Sequence, residues 1–228
     1  MHHSRIGRFF VVAALLLVTG CMPFPIIKPE AFTPTKPKVA IIGYRVNPVE
    51  EGTLGLPIPI KEVDTAYAVL ASELADSGFE LVPTERIREC REYFRLPRSP
   101  LPIATTPRGL DPVFVSHDKM VGLAECVGSD IVVLLDAMPE VEKRLRVLGV
   151  DEAVVRMTVN LEAYDNRGER IWLDTFNTDS ESFEAVGSLM SPEQVEEAGL
   201  AALTEASRQA VQRFNAKLQE SAKSASSR

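Results

Sequence analysis

The chain is poor in the side chains that most often carry catalytic chemistry. Histidine occurs three times in 228 residues, and two of these stand at positions 2 and 3, which leaves His117. The sequence contains no Gly-x-Ser-x-Gly, no His-Glu-x-x-His and no phosphate-binding glycine loop. These shortages predict a protein that is not an enzyme, with no catalytic residues, no bound metal and no cofactor.

A cell-wall hydrolase is the weakest alternative that the composition leaves open. Asp165, Glu169 and Asp174 surround one predicted hairpin, where acids are more often turn formers and surface charges than a glycosidase pair. His117 stands at a predicted helix start beside Asp118, a position typical of a solvated histidine.

Positively charged residues are outnumbered by acids, with 25 Lys and Arg against 32 Asp and Glu. The formal net charge is −7, and it falls to −9 when Arg5 and Arg8 are removed with the N-terminal segment described below. An acidic body lacks the clustered Lys and Arg that bind a phosphate backbone, so no nucleic-acid partner is expected. The same charge argues against electrostatic attachment of the body to anionic lipid.

The first twenty residues have the organisation of a secretion signal. Arg5 and Arg8 precede an apolar run from Phe9 to Val18, which is well short of the roughly 20 residues of a spanning helix. The run ends in Leu17-Val18-Thr19-Gly20-Cys21, which resembles the lipobox of bacterial lipoproteins. This resemblance implies cleavage between Gly20 and Cys21 and lipidation of Cys21. An ordinary secretory signal with a chance cysteine, or a poor membrane helix, are the alternatives.

The expected lipid determines the expected location. Each buried CH₂ of an acyl chain adds about 0.8 kcal/mol, so two or three chains such as palmitate hold a protein firmly at a membrane. Met22 stands where lipoproteins retained at the inner membrane often carry Asp. The resemblance therefore implies an outer-membrane protein that faces the periplasm.

Two cysteines remain once Cys21 is assigned to lipid. Cys90 and Cys126 lie in a compartment that permits disulfides, and they form either a disulfide or two separate buried thiols. Their spacing, without a CxxC, does not favour a metal site.

Proline is concentrated in two segments. Residues 21–38 are expected to form a lipidated, extended tether that could reach roughly 50 Å, or a leader of no selected length. Residues 95–112 form a proline-rich insertion with three basic residues, and long internal loops are often functional. We expect this insertion to contact a partner, or else to be an unstructured addition. Its basic residues are Arg95, Arg98 and Arg108.

The remaining pattern predicts one periplasmic α/β domain over residues 39–220, followed by a disordered tail, 221–228. Residues 154–164 alternate apolar and polar side chains, which is typical of a half-buried antiparallel strand. Ser191-Pro192-Glu193-Gln194 is a capping box that begins a long C-terminal helix ending near Gln219. The fold class is therefore a mixed sheet with helices packed on it. The remaining predicted elements are strands at 39–44, 79–82, 131–135 (continuing through Pro139) and 170–176, and helices at 61–77, 85–94 and from 116.

Four stretches carry a further resemblance, to the periplasmic TolB N-terminal-like domains that also occur in the curli-secretion lipoprotein CsgG and the penicillin-binding-protein activator LpoB. The resemblance covers about residues 38–215, and the insertion 95–112 and Pro139 depart from it. The stretches are residues 38–42, 74–82, 124–133 and 159–169.

The resemblance implies binding and assembly in the cell envelope. An accessory factor that binds an envelope protein is the first expectation, and an oligomeric, CsgG-like secretion channel component is the alternative; a homo-oligomer is thus one expected state. Trp172 is expected either to pack under the last helix or to contact a partner in a groove.

Overall fold

The structure is a computed structural model of the chain. It describes residues 26–27, 36–49, 57–95, 105–108, 110, 116–144, 151–185 and 190–226. The strands are β1 (Ile26–Ile27), β2 (Lys38–Val46), β3 (Glu80–Leu81), β4 (Ile131–Arg144), β5 (Asp151–Asp165), β6 (Arg170–Asp179) and β7 (Phe183–Ala185). The helices are α1 (Val63–Asp76), α2 (Thr84–Tyr93), α3 (His117–Val127) and α4 (Pro192–Ser226).

The strands form one mixed sheet in the order β1-β6-β5-β4-β2-β3, and β7 pairs with the start of β5. β2 runs parallel to β3 and β4, whereas β4, β5 and β6 are antiparallel neighbours. The predicted α/β class, with a mixed sheet and a long C-terminal helix, is confirmed.

The period-two pattern of β5 decides which side of the sheet is buried. Val155, Met157, Val159 and Leu161 are completely shielded from solvent, while the intervening side chains are partly exposed. Since successive side chains of a strand point to opposite faces, this pattern gives the sheet an apolar face and a polar face.

Helices α1 and α4 cover the apolar face. Small side chains let α4 approach the sheet closely, and Phe214 in the second half of this helix packs against Trp172 with ring centroids 4.4 Å apart. The buried Tyr44 hydroxyl and Ser207 Oγ are hydrogen-bonded at 3.0 Å, which ties β2 to α4 within the core. The helix residues that complete this core are Val63, Ala66, Leu70, Leu74, Val195, Ala202, Leu203, Ala206, Ala210 and Val211.

Helices α2 and α3 form a smaller second core on the opposite face. They pack against Ala40, Ile42 and Val132, so they cover only the part of this face formed by β2 and β4. Gly128 follows α3 with a φ of +70°, a left-handed conformation that glycine adopts without strain and that ends the helix before β4 begins.

Several boundaries differ from the sequence-based expectations. β4 continues through Pro139 as predicted, but β5 and β6 are longer than the alternating pattern indicated. α4 continues through Ser226, beyond the end expected near Gln219, so residues 221–226 of the expected disordered tail are helical. Ile26–Ile27, within the expected tether, form an edge strand on β6, and most other residues of the tether lie outside the described residues. Within the described ranges, no helix combines the length and apolarity needed to cross a membrane.

A partly buried ion pair joins β6 to α4. The Asp174 side chain is only 2% exposed and accepts hydrogen bonds from Arg213 Nε at 2.8 Å and Nη2 at 3.0 Å. The guanidinium also lies 5.0 Å from the centre of the Phe176 ring. Hydrogen bonding to Asp174 raises the pKa of Arg213, so the guanidinium keeps its charge.

We expect Arg213→Leu to lower the free energy of unfolding by about 2–4 kcal/mol, because it leaves the Asp174 carboxylate buried and unpaired. Adding Asp174→Leu to this variant should recover much of the loss, since the lone charge is then removed. Gln212→Leu on the exposed side of the same helix is the control. Urea denaturation followed by circular dichroism measures all four proteins, and a double variant no more stable than Arg213→Leu would contradict the role given to the pair.

Candidate functional site

The part of the sheet beyond the second core presents a polar surface formed by β4, β5 and β6. Among the described residues, the second core ends at the partly buried Leu134 and Tyr164. The side chains that follow on the same face are partly or fully exposed, except that of Val154, which is buried. We call this surface the open face, and its residues are Arg45, Asp136, Met138, Glu140, Glu142, Arg156, Thr158, Asn160, Glu162, Tyr164, Thr175, Asn177 and Asp179.

Cross-strand ion pairs hold the charged side chains of the open face in place. Arg45 Nε donates to Asp136 Oδ1 at 2.8 Å, and Arg45 Nη2 contacts the second carboxylate oxygen. This hydrogen bonding raises the pKa of Arg45. The pair joins the neighbouring strands β2 and β4, because Arg45 and Asp136 stand opposite each other in the sheet.

Arg156 joins three strands at the other end of the open face. Its Nη1 lies 2.6 Å from Glu142 Oε2 on β4, and its Nε donates to Asp179 Oδ1 on β6 at 2.9 Å. The hydrogen bond to Asp179 raises the pKa of Arg156. The contacts on both neighbouring strands therefore hold the Arg156 side chain along the surface of the sheet.

Hydrogen bonds from uncharged donors occupy the centre of the open face. Thr175 Oγ1 donates to Asn160 Oδ1 at 2.9 Å, and the Tyr164 hydroxyl donates to the Glu162 carboxylate. Burial, reinforced by the bond to Glu162, raises the pKa of Tyr164 to about 12. Tyr164 is consequently protonated at neutral pH and remains a hydrogen-bond donor.

The outer edge of β6 forms a cleft with α4. Its volume is about 490 Å³, and it opens widely to solvent beside the Arg156–Asp179 pair. Carboxylate and amide side chains from α4 form the opposite wall. The lining residues are Arg156, Asn177, Thr178, Asp179, Glu205 and Gln209.

The open face has an excess of negative charge. Its five acids outnumber its two guanidinium groups, both of which are paired with carboxylates. Arg170, which stands opposite Tyr164 at the margin of the face, adds one further cation. Such a surface is electrostatically complementary to a cationic protein surface and steers its approach. The acids are Asp136, Glu140, Glu142, Glu162 and Asp179, and the cations are Arg45 and Arg156.

Cys90 and Cys126 form a disulfide that joins α2 to α3, with their Cα atoms 5.8 Å apart. Of the two arrangements that the sequence left open, the structure has the bonded one. The Cys90 side chain lies in the second core, and Arg86 Nη2 donates to the Cys126 carbonyl at 2.7 Å. The disulfide therefore stabilises the helices beside the open face and lies outside it.

Trp172 is buried in the core of the domain. Its side chain is 3% exposed and packs against Phe214 beneath α4. Trp172 is buried because it stands opposite Ala163 on the apolar face of the sheet. On β6, the side chains of residues 172, 174 and 176 all point toward α4. Of the two roles that the sequence allowed, packing under the last helix is the one observed.

The described part of the proline-rich insertion is attached to the body. Thr105 exchanges two backbone hydrogen bonds with Val46, at 3.0 Å and 2.8 Å, and Leu110 is buried in the second core. The Arg108 backbone N–H donates to Asp64 Oδ1 at 2.8 Å, although its side chain is almost fully exposed. Arg95 is also exposed, with a φ of +47°, and Arg98 lies outside the described residues.

The acids considered as a catalytic pair have structural roles. Asp165 Oδ1 accepts the backbone N–H groups of Arg167 at 2.9 Å and Glu169 at 2.8 Å, which forms the turn between β5 and β6. Asp174 binds Arg213 as described above. His117 is the first residue of α3. Among the described residues, no group of His, Cys, Asp and Glu side chains is arranged to hold a metal ion. Gly20 and Cys21 lie outside the described residues.

Sequence reasoning identified neither Arg45 and Asp136 nor Arg156 and Asp179 as site residues. The alternating pattern of residues 154–164 contained a usable signal, because it placed Arg156, Asn160 and Glu162 on one polar face. Their partners on β4 and β6 depend on the strand register, which the pattern of a single strand does not reveal.

The chain matches no family model and no curated protein sequence. Several solved structures resemble it at low identity. The LpoB C-terminal domain from Salmonella enterica shares 15% identity over 62% of this chain and 82% of that chain, with a TM-score of 0.37. A minor lipoprotein from Acinetobacter baumannii shares 12% over 80% and 94%, with a TM-score of 0.41. A putative neuraminyllactose-binding hemagglutinin homolog from Helicobacter pylori shares 9% over 82% and 89%, with a TM-score of 0.43. TM-scores below 0.5 do not assign a function to the chain.

We expect Cys90→Ala with Cys126→Ala to lower the free energy of unfolding by about 3–4 kcal/mol, because the disulfide closes a loop of 36 residues in the unfolded chain. Dithiothreitol should destabilise the wild-type protein by a similar amount and leave the double variant unchanged. Thermal denaturation with and without the reductant measures both effects. A wild-type protein that is insensitive to dithiothreitol would contradict the presence of the disulfide.

Proposed function

We propose that this chain is an outer-membrane lipoprotein that faces the periplasm and is anchored to the membrane through lipid on Cys21. In this proposal it binds another envelope protein through the open face. In this proposal it acts as an accessory or assembly factor and not as an enzyme. The partner carries a cationic surface, because the open face is acidic.

The proposed anchor is supported by the sequence Leu17-Val18-Thr19-Gly20-Cys21 and by the short apolar run before it. The Cys90–Cys126 disulfide supports the same location, since structural disulfides persist in oxidising compartments such as the bacterial periplasm. The choice of the outer membrane rests on Met22, which stands where lipoproteins retained at the inner membrane often carry Asp.

The single observation that carries the proposed binding role is the pairing of charged side chains on a sheet face that no described helix covers. Arg156 is held by Glu142 and Asp179, and Arg45 is held by Asp136. Side chains already fixed by neighbours lose little conformational entropy when a partner binds. A face of this kind presents fixed acceptors and donors at positions that a partner can match.

The roles of the candidate catalytic acids support binding over catalysis. Asp165 is occupied by turn hydrogen bonds, and Asp174 is buried against Arg213. Neither carboxylate is presented to a substrate. The channel alternative stays a prediction of the resemblance alone, and no contact among the described residues favours it over binding.

We expect Cys21→Ser to abolish anchoring, because serine cannot receive the thioether-linked lipid. The wild-type protein should fractionate with membranes and accumulate as a larger precursor when cells are treated with globomycin. The variant should keep its N-terminal segment, migrate at the precursor size with and without globomycin, and incorporate no labelled palmitate. A variant that still incorporates labelled palmitate, or that is still processed in a globomycin-sensitive way, would contradict lipidation at Cys21.

Photo-cross-linking tests the binding surface. With p-benzoylphenylalanine at Thr158 or Asn177 on the open face, irradiated envelopes should yield one discrete adduct, whereas Ser72 on the exposed side of α1 should yield none. Thr158→Lys should weaken the adduct formed from Asn177 through repulsion of a cationic partner, and Thr158→Glu should preserve it. Equal adducts from all three cross-linker positions would contradict a dedicated open face.

A further inference from the structure

We infer that the outer edge of β6 binds residues 22–25 of the same chain as a continuation of β1. The binding site consists of described residues of β6, whereas its occupant lies outside the described residues. The inference goes beyond the proposed function, because it requires neither the lipid on Cys21 nor the envelope partner. It makes part of the expected tether an edge strand of the domain.

Most of the outer edge of β6 has no partner strand among the described residues. β5 pairs with one side of β6 along nearly its whole length, whereas β1 pairs with the other side only at Trp172 and Leu173. Residues 174–179 of this edge include no proline and no lysine, which often protect an exposed edge from pairing. The edge is therefore suited to a further strand.

Two hydrogen bonds at the end of β6 show which way the backbone of β5 points. The Ser180 N–H donates to the Val155 carbonyl at 2.9 Å, and the Val155 N–H donates to Ser180 Oγ at 3.0 Å. Ser180 directly follows the last residue of β6. The backbone groups of Val155 thus point toward β6 and away from β4.

The same bonds determine which groups of β6 point outward. Along an antiparallel pair, the backbone direction alternates from residue to residue in both strands. Every second residue of β5 after Val155 therefore faces β6, and each of these is paired with an even-numbered residue of β6. The N–H and C=O groups that point outward belong to the odd-numbered residues, which are Leu173, Thr175, Asn177 and Asp179.

β1 already occupies the first of these outward positions. Ile26 stands opposite residue 173, so the backbone of Ile26 faces β6. The same antiparallel register, continued upstream, places Phe24 opposite Thr175 and Met22 opposite Asn177. The N–H and C=O groups of residues 22 and 24 then face the outward groups of β6.

The prolines of this segment stand only at positions that face away from β6. Pro23 and Pro25 alternate with Met22 and Phe24. Proline has no N–H to donate, and a sheet tolerates it on an edge strand where that position faces solvent. The segment can therefore supply each N–H that β6 requires. Its other side lacks these N–H groups and is a poor template for a further strand.

The prolines also favour an extended chain. The ring fixes φ of Pro23 and Pro25 at about −65°, and a residue that precedes proline is driven from the helical region toward extended conformations. Met22 and Phe24 are each followed by proline. All four residues thus favour extended conformations before they pair, so docking on β6 costs less backbone entropy than it does for an ordinary segment.

The cleft between β6 and α4 leaves this edge accessible. It has a volume of about 490 Å³ and opens widely to solvent, and Asn177 and Thr178 line it on the β6 side. Gln209 on α4 lies on the opposite wall. The helix therefore does not block the end of the edge at which residues 22 and 23 are placed.

Cross-strand disulfides test the register in the full chain. Phe24→Cys with Thr175→Cys joins directly opposite positions, whose Cα atoms lie about 5.5 Å apart in a hydrogen-bonded pair, within the span of a disulfide. Phe24→Cys with Asn177→Cys is the matched control, because diagonal neighbours are about 7–8 Å apart and a disulfide does not span that distance readily. Ile26→Cys with Leu173→Cys is the positive control for the observed pairing.

The disulfides are measured in envelopes by non-reducing electrophoresis after thiol alkylation. We expect the pair 24–175 to form an intramolecular disulfide about as completely as the pair 26–173, and the pair 24–177 to stay largely reduced. Equal bridging of position 24 to positions 175 and 177, or bridging to neither, would overturn the inference. A failure of the pair 26–173 would also overturn it, because the added strand continues β1.

A proline exchange tests the direction of the backbone. Phe24→Pro removes an N–H that faces β6, whereas Pro25→Ala adds one that faces away. Hydrogen–deuterium exchange of the β6 peptide in the purified full chain should show the amides of Thr175 and Asn177 exchanging faster in Phe24→Pro than in the wild type. Exchange in Pro25→Ala should match the wild type, and equal effects of the two variants would contradict the assigned direction.

The single variant Thr175→Cys distinguishes this occupant from a second copy of the chain. A disulfide-linked dimer in envelopes would show that two β6 edges pair with each other, and it would overturn the inference. A monomer, together with bridging of the pair 24–175, supports it. None of these outcomes depends on lipidation at Cys21 or on the cationic partner, so the proposed function stands or falls separately.

Discussion

The register and face of β5 determine the rest of this molecule. β5 pairs with β4, β6 and β7, and its residues Val155, Met157, Val159 and Leu161 are completely buried beneath α4. A shift of one residue would exchange these side chains with Arg156, Thr158 and their polar neighbours, which the core cannot accept. The burial of one face therefore places the ion-paired residues together on the other. The Asp174–Arg213 pair and the contact of Trp172 with Phe214 further fix the position of α4 against this sheet.

The proposed role follows from the difference between the two faces of the sheet. One face is buried in the hydrophobic core, and the open face carries hydrogen-bonded and ion-paired polar side chains at the surface. The disulfide stabilises the neighbouring helices without occupying that surface, and β1 joins the sheet at the opposite edge, on β6.

The elements that depend on local periodicity could be predicted from the sequence. α1 and β5 were predicted from their apolar spacing, and the beginning of α4 from its capping box, because these signals arise from neighbouring residues. The pairing of Ile26 with Leu173 and of Thr105 with Val46 could not be predicted, because each joins segments far apart in the chain through backbone hydrogen bonds. The site was only partly predictable for the same reason, since Arg156 was visible as a polar residue of β5 but its partners Glu142 and Asp179 depend on strand register. The sequence left two roles open for Trp172, packing under the last helix or contact with a partner. Only the position of α4 distinguishes between them.

Oxidative footprinting in intact envelopes tests the central claim that the open face is covered by a partner. Met138 and Tyr164 lie on the open face and carry oxidisable side chains, while Tyr93 at the end of α2 is 78% exposed and lies on another surface. Hydroxyl radicals generated in envelopes and in a solution of the purified protein give the modification rate of each residue. We expect Met138 and Tyr164 to react more slowly in envelopes than in the purified protein, and Tyr93 to react at the same rate in both. Unchanged rates for Met138 and Tyr164, with or without a change at Tyr93, would contradict it.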